Sequence, residues 1–312
     1  MLSIIQILGL PFLACILMGI TLGYLGIHVL KREVIFIDIA FAQIAAVGSI
    51  AAHFIFEVHG NSAAAYACSV GCVSLAALCY ALIRGKILQI SLEAVIGISY
   101  AIAAAAALFL VGIQPGGHVH IQHVLSGSLL WTGWHDVNRE LLTFSAVGLC
   151  FYLFRKPLTK ISNSYQQVQI ANLHIVFWDF VFYVLLGIVI TLCVQIAGIV
   201  VVFAYLIIPA TISLICPQRP ILRLIVVWSS AVAASVAGLL FAYSLDFSIG
   251  PAIALSHGVI LVMAVMLTKS ARYCHVKCSH EHEPVMEAGP DYCVDNSRNY
   301  AKSIGARQSE ES

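Results

Sequence analysis

Charge is what this sequence lacks most. Of its 312 residues only 10% are Asp, Glu, Lys or Arg, and 61% are hydrophobic. Soluble domains carry roughly a quarter charged residues. Together with a mean hydropathy of +0.95, this scarcity leaves a polytopic membrane protein as the fitting class. The net charge of +1, with no basic patch, gives no footing for nucleic-acid binding. No basic n-region precedes the first apolar run and no small-residue cleavage site is evident. Residues 5–30 are therefore expected to be a retained helix and not a signal peptide. Ten cysteines show no secreted disulfide framework. Cys15, Cys150, Cys193 and Cys216 lie in apolar runs, where a thiol serves as a small hydrophobe.

Catalytic signatures are missing as well. Without G-x-x-x-x-G-K-[ST] the chain does not hydrolyse ATP through a P-loop. Without H-E-x-x-H or G-x-S-x-G, zincin and serine-hydrolase chemistry have no support, and Asp179 and Asp246 form no evident catalytic pair. There is no repeat of fixed period.

What is present is a series of apolar stretches, each long enough for a core about 30 Å thick. They cover 7–30, 34–56, 62–83, 93–112, 137–154, 174–194, 197–216, 224–243 and 249–268, with a short interfacial or re-entrant run at 123–134. Gly198 and Pro209 interrupt the 174–216 pair, which leaves room for a broken helix. The predicted fold is all-α, a transmembrane bundle of about eight to ten spans. "AAVGSIAA", "YAIAAAAAL" and "SSAVAASVAG" supply the small residues that let helices pack closely in lipid.

The few basic residues fall in alternate loops: Lys31/Arg32, Arg84/Lys86, Arg155/Lys156/Lys160, Arg219/Arg223 and Lys269/Arg272/Lys277. The opposite loops hold only Arg139. The positive-inside rule places the five basic junctions and the C-terminus in the cytoplasm. Residues 1–269 are then a transmembrane domain, and 270–312 a polar cytoplasmic tail with little fixed structure.

Three groups stand out as candidate metal ligands. Asp38 sits inside "FIDIAFAQIAAVG", where it is either a carboxylate paired near the interface or a hard oxygen ligand in a cation pathway. Gln43 lies about 140° around a helix from it, as ligand or as interhelical glue. His118, His120 and His123 crowd an outer loop, and imidazole suits zinc and other borderline metals. In the tail, Cys274, His275, Cys278, His280 and His282 offer thiolates and imidazoles for Zn2+, though not at a standard zinc-finger spacing. His257, inside the last span, reads as a core histidine or as a site residue.

Five stretches resemble one family, the permease subunit of bacterial ABC importers for zinc, manganese and related metals. They are "GYLGIHVLKREVIFIDIAFAQIAAVG", "SLEAVIGISYAIAAAAAL", "HIQHVLSGSLLWTGWHDV", "WDFVFYVLLGIVITLCVQIAGIVVVFAYLIIPA" and "LDFSIGPAIAL", in family order. The resemblance implies a homodimeric, multi-pass inner-membrane permease that is not itself an enzyme. It carries no covalently bound cofactor and moves a divalent metal, zinc or manganese foremost and iron after them. A separate cytoplasmic ATPase drives it, and an extracytoplasmic metal-binding protein feeds it. A coupling helix in 155–173 would touch the ATPase through Ser162, Asn163, Tyr165, Gln166, Gln167 and Gln169. The family often places a histidine four residues after the Asp38 position; here Ala42 stands there. Open alternatives are a permease for a metal chelate or cobalamin-like compound, a membrane-embedded metal or redox protein, and a metal-sensing regulator.

Overall fold

The computed structural model describes residues 2–56, 63–84, 91–113, 129–163, 173–215 and 219–281. Among these are ten α-helices and no strand. They are α1 (Leu2–Lys31), α2 (Ile37–Phe56), α3 (Ala63–Arg84), α4 (Leu92–Ile113), α5 (Trp134–Leu153), α6 (Arg155–Asn163), α7 (Leu173–Ala197), α8 (Ile199–Ile215), α9 (Pro220–Leu245) and α10 (Ile249–Glu281). A single 3-10 turn, Leu129–Trp131, lies in the stretch expected to be interfacial.

An all-helical answer follows from the solvent. Backbone N–H and C=O groups in hydrocarbon have no water to bond, so each span must satisfy them internally. Among the described residues, six helices are long and apolar enough to cross a membrane, or seven if the bent pair α5–α6 counts as one span. Two further apolar helices, at Ile37–Ala52 and Ile199–Ile215, are shorter. The nine apolar stretches thus all appear as helices, but not as nine equal spans.

Two chain breaks decide the layout. The first is at Gly198, whose φ of 84° lies in the left-handed region that only glycine adopts freely. It separates α7 from α8, while the Gly198 N–H still donates to Val194 O at 2.9 Å and Val202 N–H to Gly198 O at 3.2 Å. The ladder therefore turns without orphaned groups. Pro209, expected to be a second interruption, is absorbed inside α8. The second break, at Phe154, bends α5 into α6 by 78°.

The centre of the bundle is α1, α7 and α8. Along α1 the buried residues Cys15, Met18, Leu22, Leu25 and Val29 recur every three or four positions, one face of a helix. α7 is apolar and largely enclosed, with Phe182, Tyr183, Leu186, Val189, Ile190 and Cys193 buried on several sides. Around this centre, α2 packs on α3, α4 and α7, and α1 packs on α8 and α9. By contrast α4 exposes Ile98, Ile102, Leu108 and Phe109, as a bilayer permits.

Glycine sets the closest contacts. A Cβ on Gly26 would overlap the Leu206 carbonyl oxygen, and one on Gly238 would lie 2.6 Å from Ile253 Cα. Helix association in lipid depends on such approach of backbones. Backbone contacts divide the chain into two units, Met1–Met266 and Leu267–Ser312. The tail, expected to be without fixed structure from residue 270, is helical as far as Glu281.

Gly26→Ala is expected to force α1 from α8 and to cost about 1–3 kcal/mol, the usual penalty of overpacking. Gly97→Ala, with open space around it, is expected to be neutral or stabilising by about 0.5–1 kcal/mol. Thermal unfolding of the two variants in detergent measures both.

Candidate functional site

Where α1 ends, the sequence places Arg32 after an apolar run. A lone guanidinium there would be costly, and the fold supplies its partner. Arg32 is fully buried, and its Nη1 donates to Asp179 Oδ1 at 2.5 Å. Arg84, at the end of α3, donates to Asp179 Oδ2. One carboxylate on α7 thus takes a cation on each oxygen. Arg32 Nε donates to Ser162 Oγ on α6 at 3.1 Å, and His28 Nδ1 lies 3.2 Å from the same hydroxyl. The Phe182 ring covers the guanidinium, with its centroid 3.9 Å from Cζ. Four helices are tied here by groups distant in sequence.

Asp38 lies in the first turn of α2, not in mid-helix. Its side chain is 2% exposed, and Oδ1 accepts from the Ile39 N–H at 2.8 Å. A carboxylate at a helix N-terminus meets unsatisfied N–H groups and the positive end of the macrodipole, which explains its tolerance there. It faces neither lipid nor an open groove; the packing of α2 encloses it. Nor is it salt-bridged among the described residues, where Arg32 and Arg84 both pair with Asp179. Gln43 is half-buried in the same helix.

Near the other end of the bundle a second polar cluster is enclosed. Glu140 on α5 is fully buried, and neither carboxyl oxygen has a hydrogen-bond partner. Cys15, Cys193 and Tyr205 are fully buried in the same core. The Tyr205 hydroxyl lies 2.5 Å from Ser235 Oγ, and its ring meets His257 edge-on at 4.5 Å. His257 Nδ1 lies 2.9 Å from Ile253 O, and Nε2 has no partner. These groups come from six helices but do not form a cage. Among the described residues no three His, Cys, Asp or Glu side chains are grouped to hold a metal ion.

Other expected site residues fare differently. His118, His120, His123 and His282 lie outside the described residues, as do Tyr165, Gln166, Gln167 and Gln169. Cys274, His275, Cys278 and His280 fall on the helical extension of α10, and Asn163 ends α6. Ser162, expected on a surface open to a partner chain, is instead buried, because α6 turns Leu158 and Ser162 inward and leaves Arg155, Lys156 and Lys160 exposed. Glu140 was not singled out from sequence, and Asp179 was noted there only as lacking a catalytic partner. The signal was there: an ionisable residue within an apolar span implies a partner or an interior cavity.

Asp179→Ala would leave two guanidinium groups without their shared counter-ion. A loss of about 3–5 kcal/mol is expected, the usual cost of breaking a buried pair from one side. Asp179→Asn, which keeps an acceptor, is expected to lose less. Denaturant unfolding in detergent reads the difference.

The arrangement has relatives. The chain is 25% identical over 251 residues to the manganese transport system membrane protein MntC of Halalkalibacterium halodurans, covering 80% of this chain and 84% of that protein. It is 23% identical over 266 residues to the manganese import system permease protein ScaB of Streptococcus gordonii, covering 84% and 91%. Its fold matches the structure of PsaBC from Streptococcus pneumoniae in complex with Fab at a TM-score of 0.72. That match is 21% identical in sequence and covers 88% of this chain and 98% of that one. Residues 5–268 match the ABC 3 transport family, and with its bundle of apolar helices the chain belongs to that family as a multi-pass membrane protein.

Proposed function

We propose that the chain is the permease subunit of an ATP-binding cassette importer for a divalent metal ion, manganese before zinc or iron. The family match over residues 5–268 carries the transport role. The metal comes from the relatives, three of which are named for manganese. The chain has no P-loop of its own, which fits a partner ATPase in a separate chain.

In this proposal the basic end of the bundle, with Arg32, Arg84 and the exposed Arg155, Lys156 and Lys160 of α6, lies in the cytoplasm. The outward face of α6 meets the ATPase. An extracytoplasmic metal-binding protein docks at the opposite end, near the loop bearing His118, His120 and His123. Two copies form the working unit. An apolar groove of about 780 Å³ between α8 and α10, lined by Val200, Pro251, Ala254, Leu255, Gly258 and Val259, is a face suited to such pairing.

The permease forms no covalent bond. ATP binding and hydrolysis in the partner move α6, and the bundle alternates between outward and inward access. Asp38 is the oxygen ligand assigned to the path, with Gln43 as a weaker one. A single enclosed carboxylate suits fast passage better than retention, because no cage of ligands surrounds the ion among the described residues. The tail residues Cys274, His275, Cys278, His280 and His282 are a separate candidate for binding Zn2+.

Proteoliposomes holding the chain, its ATPase and its metal-binding protein are expected to accumulate radiolabelled manganese in the presence of ATP. Asp38→Ala is expected to cut uptake by about tenfold or more with assembly intact, the scale on which altered metal environments act. Equal uptake by parent and variant removes Asp38 from the path. For the tail, the full chain is expected to bind Zn2+ with release of thiol protons, and a Cys274→Ser/Cys278→Ser variant to lose that release. Calorimetry in two buffers of different ionisation enthalpy measures it.

A further inference from the structure

The geometry points to Arg32 as a positioning residue that links the short helix α6 to the bundle, with Ser162 and Asp179 as its two ends. This role rests on the proposed meeting of α6 with the ATPase. It goes beyond that meeting by naming the side chains through which a push on α6 reaches α1, α3 and α7.

α6 spans only nine residues and is set off from α5 by the 78° bend. A helix so short has little intrinsic stability and takes its position from contacts. Its inward face carries Leu158 and Ser162, one turn apart, both buried. Ser162 Oγ is the polar anchor, within 3.1 Å of Arg32 Nε and 3.2 Å of His28 Nδ1.

Arg32 then makes the connection onward. A guanidinium is planar and rigid, so its nitrogens move together. Nε holds Ser162 while Nη1 holds Asp179 Oδ1 at 2.5 Å. Phe182 lies against the guanidinium face and limits its tilt. Asp179 Oδ2 takes Arg84, which brings in α3. A displacement of α6 must therefore break the Ser162–Arg32 bond or carry Arg32 with it. Carrying Arg32 shifts the buried Arg32–Asp179 pair, where loss of one partner is expensive. The cheaper course is for the ends of α1, α3 and α7 to follow. Lysine at position 32 would keep the charge but not the fork, since one ammonium on a flexible stem does not hold both ends in fixed geometry.

The test uses the full chain with its ATPase and its metal-binding protein in proteoliposomes, reading ATP hydrolysis and radiolabelled manganese uptake together. Ser162→Ala removes one hydroxyl and Arg32→Lys keeps the charge. Each is expected to leave assembly and hydrolysis within about twofold of the parent, and to lower the manganese moved per ATP by about tenfold, a typical strength for coupling between sites. The double variant is expected to be no worse than Arg32→Lys alone, because both changes cut one link. A purely structural role predicts instead fewer assembled complexes with an unchanged ratio, and that result overturns the inference. If Arg32→Lys fails to assemble, Ser162→Ala decides alone: an unchanged ratio in it also overturns the inference. A parent complex that moves no manganese with ATP overturns the proposed function, and the linkage with it, before any variant is compared.

Discussion

Asp179 is one carboxylate holding two arginines, and the basic end of the bundle is organised around it. Arg32 and Arg84 terminate α1 and α3, while Asp179 sits near the start of α7. None of these groups could be enclosed alone, because an isolated charge in a poor solvent is costly. Paired, they oblige three helix ends to meet at one point. Ser162 adds α6 to that point through Arg32. A buried ion pair gives little net stability, but it strongly penalises arrangements that separate its members. The cluster therefore specifies position more than it supplies energy.

Elsewhere the bundle coheres by close approach. Gly26 against Leu206 and Gly238 against Ile253 bring α1 to α8 and α9 to α10 at backbone distance. Lipid tails are as apolar as leucine, so dispersion between well-fitted surfaces replaces the hydrophobic effect as the force between helices. That is why small residues recur on the packed faces while α4 keeps large apolar side chains outward. Gly198 serves the chain path instead, since its left-handed φ lets the backbone turn between α7 and α8 without orphaning a polar group.

The ionisable groups divide by where they sit. Arg32 and Arg84 share Asp179 as their counter-ion. Asp38 is stabilised by a helix N-terminus, in a setting that holds a carboxylate without a cation beside it. Glu140 and His257 retain unpaired atoms in a polar cluster near Tyr205. The charges that hold helix ends together stay paired in the fold.

The membrane class and the approximate helix boundaries were legible in the chain by itself, because apolar run length and basic-residue position respond to the bilayer rather than to any particular neighbour. The five stretches from 23 to 255 were enough to mark the family. The break at Gly198 was legible too, since only glycine adopts that backbone freely. The unequal lengths of the spans were not, nor were the smooth passage of Pro209 through α8 and the inward turn of Ser162. Each depends on which neighbouring helix accepts a carbonyl, a side chain or a hydroxyl. The pairing of Arg32 and Arg84 with Asp179, 147 and 95 residues away, was decided only by the tertiary structure. Sequence spacing constrains the faces of one helix, but it carries no information about which distant helix will bring the opposite charge.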